Sequence, residues 1–493
     1  MQKKLFLKNG LIMAISALMI RTMNLFFRVF MADTMGAEGI GLYQLIMSIY
    51  LFYSTISTSG VLLTATRLFS DFSARGEYAK ARYSVNRCLL ISLFIGLTFG
   101  CIMFMTSDTV AESFLHDMRT ANAMKLLAPS LPFMSVSACI RGYFTARRKT
   151  LPTSIDQLLE QVIEMSVFAG AFAFLQPDTL EKACCTAVLG TTFAEMISLI
   201  YSMICYCVDM KKLNCKSEKV NALAKKIMPV AVPVMVNSCL RNGLSAVENV
   251  LIPFGLKRNG SNGSNALAQY GIITGMVMPV IAFPTVLILP FSSLIVTEMS
   301  ENFAKNHRKS IQYISSKMFK LTLFYSLPVM VIFVFFGKNI CESLYHNENA
   351  GLFLAMLAPI VPFMYLDCVV DGILKGLNEQ TSYMIFNLID AIIRVILTYL
   401  LLPKFGVFGI VAVIIVSEFL NTVMSIARLI KVTAIKINVF EWIIFPLMSI
   451  ITPCLLMKFL SVNFILKIVI CLVFYGILLA GMKKIKDKSI LQF

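Results

Sequence analysis

Leu127–Met134 reads LAPSLPFM, and the motif returns at Leu357–Met364 as LAPIVPFM. Aligned without gaps, Leu127–Ala146 and Leu357–Gly376 agree at seven of twenty positions, ending with Gly142 opposite Gly372. The displacement that carries Leu127 onto Leu357 is the repeat offset. The register continues into the next apolar segment, where Glu160 falls opposite Asp390 and Glu164 opposite Arg394. Six matches in the first eight positions, with both prolines kept, mark an internal duplication.

The chain has 493 residues, 58% apolar and only 14% charged, with a mean hydropathy of +0.78. A soluble domain carries about 25% charged residues. Apolar segments of membrane length recur from end to end, so the chain reads as a polytopic membrane protein. Repeats in such proteins place the functional site where the halves meet, and the expectation is two related lobes facing one another. The thirteen cysteines sit mostly in or beside apolar segments, as Cys88, Cys139 and Cys368 do, and no pair has zinc-ligand spacing. They read as small packing residues. The opening MQKKLFLKNG resembles a signal peptide, but Arg21 interrupts the apolar run and no small-residue cleavage site follows. A retained first helix is expected.

The predicted fold is all-α and integral to the membrane. It has about fourteen transmembrane helices, as two pseudo-symmetric six-helix lobes around a central cavity plus two extra C-terminal helices. The lobes are residues 1–222 (helices 1–6) and 223–432 (helices 7–12), with helices 13–14 and a cytoplasmic tail in 433–493. Internal prolines (Pro229 and Pro233; Pro279, Pro284 and Pro290) predict bends in the seventh and eighth helices. With the N-terminus inside, 31 of the 44 basic residues fall on inner segments, among them Arg87, Arg141, Arg147, Lys149, Lys216 and Lys219. The outer loops hold about eight, including Arg119, Lys182, Lys257, Arg258, Lys338 and Lys404, as the positive-inside rule requires. This bias accounts for the net charge of +17 without nucleic acid and puts both termini in the cytoplasm. The repeat offset pairs the fourth span with the tenth. Six helices is an even number, so the lobes share an orientation and their pseudo-axis runs along the membrane normal.

A charge at the centre of a spanning helix costs about 2.5–3.5 kcal/mol on insertion scales, so such residues face a cavity or a partner. Arg21 and Arg28 in the first span are two helical turns apart and share a face; Arg241 and Glu248 in the seventh have the same spacing. The fifth span carries Asp156, Glu160 and Glu164 at intervals of four, and the eleventh carries Asp390 and Arg394. Glu195, Asp367, Asp371 and Glu418 complete the set. One reading is a water-filled chamber whose arginines would suit phosphate, because the guanidinium fork donates paired hydrogen bonds and keeps its charge when desolvated. The other is mutual pairing that holds the helices in register. Asp156 reads as lying at a helix entrance. His116, His307 and His346 all fall in predicted loops, and no Walker-type glycine loop appears, so neither an intramembrane histidine base nor ATP hydrolysis is expected. No cofactor or metal is called for, and an enzyme is not expected.

Three stretches carry a family resemblance. Met35–Tyr50 (MGAEGIGLYQLIMSIY) looks like the opening signature of the stage V sporulation protein B family. Arg141–Phe144 (RGYF), with Pro152-Thr153 and Glu160-Gln161, and Tyr270–Glu301 are similar to the same family. It lies in the polysaccharide-transport branch of the superfamily that also holds lipid II flippases and multidrug extruders. The resemblance implies alternating access and a cargo of undecaprenyl-pyrophosphate-linked saccharide, of lipid II type, moved from the inner to the outer leaflet of a bacterial cytoplasmic membrane. It places Arg21 and Arg28 at basic cavity positions, with Arg241 in a comparable place, as substrate-binding residues. Glu160, Glu164, Glu248, Asp390 and Arg394 are then candidates for gating or for coupling to H⁺ or Na⁺. Glu164 departs from the family, whose members tend to carry a basic residue there. The implied partners are the polyprenyl-linked glycan lipid, membrane lipids and cell-wall synthesis proteins, with the chain a monomer. A cation-coupled drug extruder of the same fold and a non-transporting scaffold for envelope synthesis stay open as rivals.

Overall fold

The computed structural model describes residues 2–213, 218, 220, 223–458 and 462–490. Lys216, Lys219, residue 222 of the expected lobe boundary and the side chains of Pro229, Pro233 and Pro290 lie outside the described residues. Helices occupy nearly all the rest, and no strand occurs among the described residues. A bilayer core offers no water to spare backbone N–H and C=O groups, and a helix satisfies all of them internally.

The chain forms two compact units, 1–271 and 272–493. The first contains α1 (Gln2–Ala74), α2 (Tyr78–Thr109), α3 (Ala121–Leu127), α4 (Ser130–Ala146), α5 (Thr150–Leu175), α6 (Leu180–Leu213), α7 (Leu223–Arg258) and α8 (Gly263–Tyr270). The second contains α9 (Met278–Ala282), α10 (Leu289–Ala304), α11 (Arg308–Tyr345), α12 (Glu348–Leu357), α13 (Val361–Gly376), α14 (Gln380–Phe405), α15 (Val407–Thr433), α16 (Phe445–Lys458) and α17 (Phe464–Ile490). This division groups residues by packing, whereas the boundary expected at 222/223 follows the repeat.

Eleven helices among the described residues are long and apolar enough to cross a membrane, or twelve when Met118–Leu127 and Ser130–Ala146, bent by 46°, count as one span. The 73 residues of α1 would run about 110 Å if straight, against a hydrocarbon core of about 30 Å. Gly36 interrupts it with φ 68° and ψ 179°, so α1 contains two spans. The eighth span changes helix type along its length: a π-helical turn (Gly271–Val277) and, at Pro284, a 3-10 turn (Phe283–Leu287) separate α8, α9 and α10. Large apolar side chains stand exposed on the outside, with Phe94 72%, Met105 81% and Phe174 92% accessible. A surface of that kind needs lipid, not water, as its solvent.

The duplication is written in the backbone more fully than in the side chains. Four pairs of positions related by the repeat offset share positive φ: Gly76 and Asn306, His116 and His346, Arg148 and Asn378, Gln176 and Gly406. Each pair ends or links corresponding helices at a residue of positive φ. Only the histidine pair is identical in sequence. Close packing repeats as well. A Cβ on Gly142 would lie 2.5 Å from the Leu62 carbonyl oxygen, and one on Gly372, its counterpart, would lie 3.0 Å from that of Ser292, the counterpart of Leu62. Spanning helices gain little from the hydrophobic effect inside lipid and rely on such close backbone approaches.

Each unit fastens the short link between corresponding helices to a third helix, with opposite polarity. In the first, Asp209 of α6 accepts hydrogen bonds from Lys149 and from Tyr143 Oη (2.6 Å), with Arg147 Nε at 3.5 Å. In the second, the residue opposite Lys149 is Glu379, and it binds Arg428 of α15 through both carboxylate oxygens at 2.7–3.1 Å. The Ser382 hydroxyl donates to Glu379 at 2.7 Å, and that bond together with Arg428 holds the Glu379 carboxyl below the usual range. A depressed carboxyl stabilises the fold above its unfolded value of about 4.3 and loses that contribution as pH falls through the folded one. Glu379→Gln is therefore expected to melt below wild type at pH 7, with the gap closing as pH falls below the usual carboxylate range. A melting gap that persists unchanged into acid would contradict this.

Candidate functional site

Asp156, Glu160 and Glu164 share a face of α5, and that face meets α6. The approach is close, since a Cβ on Gly190 of α6 would sit 2.9 Å from the Glu164 carbonyl oxygen. Arg141 of α4 reaches into the contact. Its Nη1 lies 3.6 Å from Glu160 Oε2 and 3.8 Å from Asp156 Oδ2. Asp156 is completely buried and accepts from Ser198 Oγ at 2.7 Å and from Ser202. Thr191 Oγ1 donates to Glu164 Oε1 at 2.8 Å, and Gln161 Nε2 is 3.5 Å from the other oxygen. Arg28 acts electrostatically on Glu164, while its own Nε donates to Asn24 at 3.2 Å. Glu195, also buried, feels Glu160, Arg141, Asp156 and Glu164, and its Oε2 accepts no hydrogen bond. Two guanidiniums thus act on four carboxylates.

The second unit holds a counterpart on α13, α14 and α15. Asp367 accepts from Asn421 Nδ2 at 3.1 Å and from Ser425, and interacts with Asp390. Glu418 interacts with Asp367, Arg394 and Asp390. Here the displacement between copies is shorter: Glu195, Ser198 and Ser202 correspond to Glu418, Asn421 and Ser425. The shortening is by seven positions, two helical turns, so the same helix face is presented. In both units the two small polar residues hold a carboxylate, but α5 supplies it in the first (Asp156) and α13 in the second (Asp367). The cation moves the other way, from Arg141 on α4 to Arg394 on α14, because Arg141 stands opposite Asp371 and Glu164 opposite Arg394.

Of the residues singled out from sequence, the structure brings Glu164 together with Arg28 and with Glu160, and Asp390 together with Arg394 through Glu418. Arg21 is partly buried on the face it shares with Arg28. Arg241 is exposed on α7, whereas Glu248, two turns on, is buried at 6%. Between them α7 docks on α1: Asn242 Nδ2 donates to Thr55 at 2.5 Å, and Gly243 faces Phe52. One sequence reading is corrected. Asp156 is not at a helix entrance but sealed between α5 and α6. Arg141, counted with the inner basic residues, is 16% exposed and serves the acidic stripe. The sequence signal for it was the stripe itself, which needed a cation nearby. Among the described residues no group of His, Cys, Asp or Glu is arranged to hold a metal ion, and the cysteines form no disulfide.

A family model described as polysaccharide biosynthesis protein matches residues 6–295, and a second, MatE, matches residues 258–400. Stage V sporulation protein B of Bacillus subtilis (strain 168) is 26% identical over 450 residues, 90% of this chain and 87% of that protein. The lipid II flippase MurJ of the same strain is 21% identical over 429 residues, 79% of this chain and 76% of the other. A solved structure of lipid II flippase MurJ, in an inward closed conformation, has a TM-score of 0.72 at 14% identity, covering 97% of this chain and 99% of that one. At that identity the likeness is one of fold. One of these relatives is named a flippase, and with its membrane-length apolar helices the chain is a multi-pass membrane protein that shares the fold of that solved transporter structure. Matched by the family model over more than half its length, it belongs to the polysaccharide biosynthesis protein family.

Proposed function

We propose that the chain flips an undecaprenyl-pyrophosphate-linked saccharide, a lipid II-type peptidoglycan precursor, from the inner to the outer leaflet of a bacterial cytoplasmic membrane. The observation that carries this is the shared face of Arg21 and Arg28 in the leading span. Two fixed cations within a spanning helix suit a pyrophosphate, and relatives bearing flippase names share most of the chain. In this reading the lobes 1–222 and 223–432 alternate in access, Arg21, Arg28 and Arg241 hold the pyrophosphate, and both termini are cytoplasmic. Glu160, Glu164, Glu248, Asp390 and Arg394 gate the cycle or couple it to H⁺ or Na⁺. The protein acts as a monomer beside cell-wall synthesis proteins. An inside-negative potential favours outward movement of an anion by about 2.3 kcal/mol per charge per 100 mV, without ATP.

The test is translocation of labelled lipid II in proteoliposomes containing only this protein, with an imposed potential. Arg21→Gln and Arg241→Gln are each expected to cut the rate at least about tenfold, the cost of one charged hydrogen bond to the headgroup. Wild-type rates in both folded variants would refute the assignment. A cation-coupled extruder is the second reading, favoured by the MatE match and by the excess of carboxylates over guanidiniums in the first unit. It predicts dye efflux and no lipid movement.

A further inference from the structure

At the loop end of α7 the first unit contains a cavity of about 340 Å³ that no residue of the proposed transport path lines. Its polar groups are His116, Lys257 and Arg258, and its walls are Leu115, Pro253 and the ring of Phe254. No acidic residue lines it. The Phe254 ring carries the site: the His116 ring packs on it with centroids 5.9 Å apart, and the Arg258 guanidinium stands 5.5 Å from its centroid. His116 is held there by a left-handed backbone conformation (φ 53°). Its Nδ1 lies 3.1 Å from the Glu112 carbonyl oxygen, which can only accept, so Nδ1 donates there, and Nε2 donates to a phosphate oxygen only when the ring is the imidazolium.

Basic residues at a helix C-terminus also answer to the helix dipole, which would explain Lys257 and Arg258 but not the cavity or the histidine. Within the first unit Arg119 and Lys182, which the charge pattern assigns to the same side of the membrane, each pair with a carboxylate. Lys257 and Arg258 pair with none among the described residues. Adjacent uncompensated cations over an aromatic floor, with apolar walls at the end of a spanning helix, match a phosphate group joined to an apolar chain. A guanidinium fork and an ammonium give that group paired and single donors respectively.

We propose that His116, Lys257 and Arg258 form a phosphate-headgroup subsite on the rim of the first unit. Its role as the outer receiving site for transported lipid rests on the flippase reading, whereas phosphate binding does not. The experiment titrates full-length protein in detergent, followed by native mass spectrometry, with inorganic pyrophosphate, geranyl pyrophosphate and phosphatidylglycerol. Lys257→Gln/Arg258→Gln is expected to bind at least one probe about tenfold more weakly than wild type, and His116→Ala to weaken the same probe. Arg21→Gln should leave that difference intact. Loss confined to the pyrophosphates supports a free or cargo pyrophosphate as the ligand, and loss confined to phosphatidylglycerol supports a resident phospholipid. Equal affinities for all three probes in monodisperse wild type and double variant would overturn the subsite. Lipid II export that survives such a result would leave the flippase reading standing, and export lost in neither arginine variant would sink that reading alone.

Discussion

Gly41→Ala is expected to destabilise the first unit by about 3 kcal/mol or more. A Cβ at Gly41 would lie 2.1 Å from the Leu267 carbonyl oxygen, and one at Gly271 would lie 2.2 Å from that of Ala37 and 2.6 Å from Gly41 N. The contact is reciprocal, since the repeat offset carries Ala37 onto Leu267 and Gly41 onto Gly271. Two backbones touch with no side chain between them, so no rotamer change can absorb a methyl group. Overpacking of a core typically costs about 1–3 kcal/mol. Here the helices would have to separate by more than about 1 Å to restore ordinary contact, which puts the cost at or above the top of that range. Gly271→Ala should behave alike. Gly170→Ala, where a Cβ meets nothing within 4 Å, should melt with wild type. Detergent-solubilised thermal stability, read by size-exclusion chromatography, decides the matter. Melting of Gly41→Ala within about 2 °C of wild type, a change on the order of 1 kcal/mol for a unit of this size, would show that the crossing yields.

Arg141→Gln is expected to destabilise the first unit by about 3 kcal/mol, near the low end for removing one partner of a buried ion pair. The low end applies because Asp156 keeps Ser198 and Ser202 as donors, and because Arg141 stands 3.6–3.8 Å from the carboxylates instead of at hydrogen-bonding distance. The buried carboxylates then lose their nearest cation. Restoring neutrality should recover stability, so Arg141→Gln/Glu160→Gln is expected to be more stable than Arg141→Gln alone. Thermal melts of the two singles and the double give the coupling energy directly. Strict additivity would mean that Arg141 and Glu160 do not act on one another.

Much of the architecture was legible in the residues. Apolar spacing gave the membrane class, and LAPSLPFM and LAPIVPFM, with Gly142 opposite Gly372, gave the duplication. The positions of Glu160, Glu164, Asp390 and Arg394 were legible for the same reason: charge in a spanning helix is costly enough to stand out. Their partners were not legible. Arg28 lies in α1 and Glu164 in α5, with three helices between them along the chain, and nothing in a helical period says which neighbour a face will meet.

Composition and local period are enough to establish that this chain lives in a membrane, that it was built from one unit used twice, and which of its helices carry charge. Only the packing of those helices shows that Arg141 belongs to the acidic stripe, that Asp156 is sealed, and that the carboxylate held by Ser198 and Ser202 comes from a different helix than the one held by Asn421 and Ser425. A seven-residue change in spacing hid that correspondence from a gapless alignment, yet two helical turns leave a helix face where it was. Packing preserves the face and the turn, and sequence comparison sees only the letters.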